Sequence, residues 1–163
     1  MHKLLLASIW APGAIPPAEW KYRNLKRIMY PVIDALFFIA GFSGARFGVP
    51  AISEFFPDAF VDGFSYTLSA IAAICFIGVA FPSQWRLEIF GKSVLFGLMV
   101  GYFIALFILT AVGEDSRGFV VLVAAVALCP IVWRLSLLGS EWQDRRVAAR
   151  IEAARIAALR EED

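Results

Sequence analysis

Four long apolar stretches, roughly Pro31–Val49, Phe64–Phe81, Ile89–Val112 and Gly118–Leu138, divide this chain, and the segments between them alternate in basic charge. A helix rises about 1.5 Å per residue, so each stretch is long enough to cross a hydrocarbon core of about 30 Å. The expected fold is therefore all-α: a four-helix transmembrane bundle, preceded by an N-terminal interfacial helix and followed by a C-terminal cytoplasmic helix. Composition agrees, since only 18% of residues are charged where a soluble domain carries about 25%.

The Lys/Arg bias sets the orientation. Lys3, Lys21, Arg23, Lys26 and Arg27 precede the first stretch, Arg86 and Lys92 fall in the second loop, and Arg145, Arg146, Arg150, Arg155 and Arg160 fill the tail. The first loop holds Glu54, Asp58 and Asp62, and the third reads Glu114-Asp115-Ser116-Arg117. Basic and acidic loops alternate as an even number of crossings requires, which places both termini in the cytoplasm. A cleaved signal peptide at Leu4–Trp10 is the competing reading. That apolar run is short, prolines 12, 16 and 17 interrupt the residues after it, and cleavage would leave the basic Lys21–Arg27 stretch outside.

The chain divides into three regions: a cytoplasmic and interfacial segment (1–30), the four-span domain (31–138) and a charged helical tail (139–163). Over Trp20–Met29, Tyr22, Leu25, Ile28 and Met29 share one side and Arg23, Lys26 and Arg27 another, a pattern suited to acyl chains below and anionic headgroups above. Pro31 suits a first helical turn, Pro82 ends the second span, Ser83 is placed to cap the next helix, Gly113 can close the third, and Pro130 predicts a kink in the fourth. Ser140 with Gln143 resembles a capping box that opens a separate tail helix. In that tail Val147, Ile151, Ala154 and Ala158 form a narrow stripe, which fits a solvated helix or a weak partner helix.

Small residues mark candidate packing faces. Gly44 and Gly48, extended by Ala40, and Gly97 and Gly101, extended by Ala105, both match GxxxG, and Ser65, Ser69 and Ala73 make a similar row. Residues of this size let helix backbones approach, which replaces the hydrophobic drive that lipid removes. Such faces pack helices of one bundle or join copies of the chain. Among ionisable groups, an aspartate at mid-membrane costs about 2.5–3.5 kcal/mol. Asp34, just after Pro31, is read either as an edge acid within reach of Arg27 or Tyr30, or as a carboxylate lining a pore. Arg46 and Arg134 are expected to snorkel to opposite surfaces, Arg46 toward Glu54 or Asp58.

Signals for catalysis are close to absent. The single histidine is His2, and no GxSxG, HExxH or P-loop pattern occurs. Cys75 and Cys129 lie inside apolar spans without neighbouring ligands, so they read as packing residues and no metal or cofactor is expected. No basic face suits nucleic acid. The expected partners are the lipid bilayer and either further copies of the chain or another membrane protein.

The stretch from Tyr30-Pro31-Val32-Ile33-Asp34 to Phe81-Pro82, with the charged tail Arg145–Asp163, resembles the small four-span membrane proteins of actinobacteriophages that are grouped with holins. That resemblance implies a non-enzymatic protein that oligomerises to permeabilise the inner membrane. Two other readings of the residues stay open: a small ion channel with Asp34 in the pore, and a structural or accessory subunit of a larger membrane complex.

Overall fold

The computed structural model describes residues 7–15, 20, 22–49, 52–53, 56–111 and 118–161, apart from the side chains of 145, 152 and 156–161. His2, Lys3, Lys21, Pro16, Pro17, Glu54 and the segment Gly113–Arg117, on which part of the sequence reading rests, lie outside the described residues. Four α-helices make up the architecture: α1 (Tyr30–Phe47), α2 (Asp58–Ala80), α3 (Trp85–Ala111) and α4 (Gly118–Glu161). Among the described residues there is no strand, and all four helices are long and apolar enough to cross a membrane. Each packs on the next in sequence, α1 on α2 most extensively.

The helices do not begin and end where the apolar stretches do. α2 starts at Asp58, α3 at Trp85 after a 3-10 turn over Pro82–Gln84, and Ser83 makes no side-chain cap. No break separates an interfacial helix from the first span, because residues 23–47 are helical throughout. Pro31 has no N–H to give the Arg27 carbonyl one turn back. A π-helical turn over Leu25–Met29 absorbs this, with the Tyr30 N–H reaching the Leu25 carbonyl. The freed Arg27 carbonyl accepts the indole N–H of Trp10 at 3.0 Å instead.

The tail is not a separate helix either. Ser140 donates its hydroxyl to the Leu137 carbonyl, a position inside a helix rather than at a cap, and α4 runs through Pro130 and Gly139 for 44 residues. Ala, Arg and Glu beyond Ser140 are strong helix formers and nothing among them breaks the run.

Close backbone approach holds α1, α2 and α3 together. A Cβ on Gly41 would sit 2.7 Å from the Ser65 carbonyl oxygen, and one on Gly78 would sit 2.7 Å from the Glu88 Cα. Ser69 donates its hydroxyl to the Phe38 carbonyl at 3.0 Å across the same α1–α2 seam. The core forms where α2, α3 and α4 meet, around Leu68, Cys75, Leu95, Met99 and Ile131. A smaller cluster, Leu106 with Ala124, joins α3 to α4 toward the other end.

Candidate functional site: a buried ionic cluster

Three segments each bring one acid and one base to the end of the bundle that holds the N-terminal residues. The helical turn before α1 carries Lys26 and α1 carries Asp34; α3 carries Glu88 and Lys92, four residues apart; α4 carries Arg134 and Glu141, two turns apart. Spacings of four and seven put Glu88 with Lys92, and Arg134 with Glu141, on one face of their helices. Arg134 grips Glu88 bidentately, Nε to Oε1 at 2.5 Å and Nη2 to Oε2 at 2.8 Å. Its Nη1 reaches Glu141 Oε1 at 3.3 Å, and Lys26 donates to the same oxygen at 2.7 Å. Lys92 pairs with Asp34 across α3 and α1. The Tyr30 ring lies under the Arg134 guanidinium, 4.8 Å from ring centre to Cζ.

Three cations thus meet three carboxylates, and the formal charge of the cluster is zero. Burial makes that balance necessary. Asp34 is 0% exposed and Lys92 1%, and an unpaired charge at such a place costs several kcal/mol, by order of magnitude. α2 adds no charge. Its small residues let α3 close in, with Gly78 against the Glu88 backbone and Cys75 against Gly91. Among the described residues, three buried polar atoms lack a hydrogen-bond partner: Asp34 Oδ2, Tyr30 Oη and Ser65 Oγ.

Residues 7–15 fold over this end. The Ile9 N–H donates to the Ala80 carbonyl at 2.8 Å, at the close of α2. Arg27 donates from Nε to the Ile9 carbonyl and from Nη2 to the Ala11 carbonyl, at 3.1 and 3.0 Å. Beneath the segment lies a cavity of about 160 Å³ whose walls include Ile9, Ile15, Lys26, Glu88, Arg134 and Glu141.

Several placements differ from the sequence reading. Asp34 is fully buried and its partner is Lys92 of α3, not Arg27 or Tyr30. Arg134 does not snorkel; at 4% exposure it is enclosed by Glu88, Glu141 and Tyr30. Lys92 belongs to α3 and not to a loop, and Lys26 turns inward to Glu141. Arg46 is exposed at the far end of α1. Sequence reasoning misses Glu88 and Glu141, although the i, i+4 spacing of Glu88 and Lys92 is there to read.

The candidate packing glycines divide. Gly44 meets Ser65 Oγ, which would lie 2.8 Å from an added Cβ. Gly48 meets no helix among the described residues; with φ at 80° it comes directly after the last residue of α1 and closes that helix, and Val49 then bonds Ser53. Gly97 and Gly101 meet no described part of this chain within 4 Å of an added Cβ. They lie instead in an open groove of about 320 Å³, walled by Phe56, Phe60, Phe64 and Tyr102.

The cluster can hold charge at depth and fix helices against one another. Among the described residues, no three His, Cys, Asp or Glu side chains gather where they would hold a metal ion. The chain matches no family model, no curated protein and no solved structure.

Proposed function

We propose that this chain is a non-enzymatic, holin-like protein of a bacterial cytoplasmic membrane, with both termini inside, that permeabilises the membrane by assembling with further copies of itself. The observation that carries this reading is the open face of α3. Glycine in a helix costs about 0.5–1 kcal/mol relative to alanine. Gly41, Gly78 and Gly91 offset that cost by close contacts inside the bundle, whereas Gly97 and Gly101 make none among the described residues. A small-residue row left open in lipid is the kind of surface on which membrane helices associate. The ionic cluster supports the same reading from the other side, because its charges pair within one chain and leave the outer faces apolar.

The test is controlled expression in a bacterial host, following membrane potential and in-membrane disulfide crosslinking through Leu98→Cys in a Cys129→Ala background. Abrupt depolarisation together with a crosslinked dimer is expected, and Gly97→Leu with Gly101→Leu should abolish both. Normal potential at verified expression would overturn permeabilisation. Crosslinks to other proteins in place of the dimer would favour an accessory subunit. A second reading, a small ion channel that uses Asp34, is favoured by the unpartnered Oδ2 of that carboxylate. It predicts that Asp34→Asn changes conductance at normal expression.

A further inference from the structure

A second cavity, of about 290 Å³, opens beside the N-terminal segment and is lined by Pro12, Gly13, Ile15, Trp20, Arg23 and Arg27. No residue of the ionic cluster lines it, and among the described residues its charge is not balanced. Arg27 spends two N–H groups on the Ile9 and Ala11 carbonyls. Those bonds fix the direction of the guanidinium and neutralise none of its charge, and three further N–H donors are left. Arg23, one turn earlier, is exposed, and among the described residues no carboxylate pairs with either arginine. The acids of the cluster are already taken, Glu141 by Lys26, Glu88 by Arg134 and Asp34 by Lys92.

The surroundings identify the anion. Trp10 and Trp20 are exposed beside the cavity, at 44% and 63%, and indole rings collect at the boundary between water and hydrocarbon. Just along the helix Ile28, Met29 and Val32 are exposed as well, which gives acyl chains an apolar surface below the two arginines. Guanidinium forks match phosphate oxygens in geometry as well as charge. We infer that this cavity binds a phosphate group, and that the phosphate is the headgroup of an anionic phospholipid whose chains lie along the start of the first span.

Native mass spectrometry of the full chain, released from vesicles of phosphatidylcholine and phosphatidylglycerol, tests this. Retention of one phosphatidylglycerol in preference to phosphatidylcholine is expected. Arg23→Gln should reduce that retention about fivefold, as loss of one basic group at an anionic surface implies. The bonds described for the docked segment come from Arg27, Trp10 and the Ile9–Ala80 backbone pair, and none from Arg23, so this variant leaves that segment in place. Arg150→Gln, the same charge change on the exposed tail, should leave retention unchanged. Equal loss in both variants, or no preference in the parent chain, overturns the proposal. Inorganic phosphate, added to the chain in phosphatidylcholine nanodiscs, separates the two sources of the anion. A rise in melting temperature over chloride that Arg23→Gln removes, without lipid retention, assigns the cavity to a soluble phosphate and overturns the lipid assignment.

Discussion

Lys92 and Asp34 are tolerable inside an apolar bundle only because each meets the other. Removing one partner strands the second, at a cost of about 3–5 kcal/mol, while replacing both by apolar groups of similar volume is often neutral. Lys92→Met should therefore lower stability by roughly that amount, and Asp34→Leu with Lys92→Met should recover most of it. Thermal unfolding in detergent checks the series, and a double variant as unstable as the single one would show that the loss comes from packing. Tyr30 offers a finer distinction. Its hydroxyl has no partner among the described residues and its ring faces Arg134, so Tyr30→Phe should be neutral or slightly stabilising. Tyr30→Leu should cost about 0.5–2 kcal/mol through the lost cation–π contact. Asp34 and Arg134 are legible in the sequence as expensive charges, but their partners are not. Charge itself serves to end the spans in a hydropathy reading, so Glu88 and Glu141 fall into a loop and the tail before any pairing is considered, and Lys92, although inside the Ile89–Val112 stretch, is counted with the loop charges.

At the level of helices, contact distance decides which glycine matters. A side chain at Gly41 would run into the Ser65 carbonyl and the Ser69 amide, backbone atoms that cannot turn aside. Gly41→Leu should part α1 from α2 and lower the melting temperature sharply. Gly97→Ala, with no described residue close beside it, should raise helix stability by up to about 1 kcal/mol in the isolated chain. The same pair of variants ranks oppositely in crosslinking, where Gly41 is already buried within one copy. Sequence pattern finds α1 and Gly44 but runs its small-residue row through Ala40, Gly44 and Gly48, whereas the seam uses Gly41 and Gly44. The GxxxG spacing hides this, since Gly48 serves to end the helix and the true seam uses a spacing of three. Nor does periodicity reveal that Pro31 is accommodated by a π turn, because the compensating donor, Trp10, is 21 residues upstream of the proline.

Across the whole molecule the polar and apolar interactions are separated by end. Ionic pairs, the docked N-terminal segment and Glu141 gather at one end, and among the described residues the rest of the bundle is joined by glycine contacts, apolar side chains and the Ser69–Phe38 hydrogen bond. α4 reaches well past that arrangement: 44 residues extend about 66 Å at 1.5 Å per residue, roughly twice a hydrocarbon core. Among the described residues its last ionic link to the bundle is Glu141, which receives Lys26 and Arg134. Beyond it Val147 and Ile151 are 54% and 64% exposed, so no described residue covers the apolar stripe of the tail. Removing the residues after Asp144 should then leave the melting temperature nearly unchanged, whereas removing those after Gly139 takes the Glu141 carboxylate from both Lys26 and Arg134 and should lower it. The shorter deletion also separates two routes to assembly. If copies meet through the Gly97–Gly101 groove, crosslinking at Leu98→Cys persists without the tail. If it disappears while the fold survives, the Val147 stripe joins the copies, and the open groove of α3 is left to lipid.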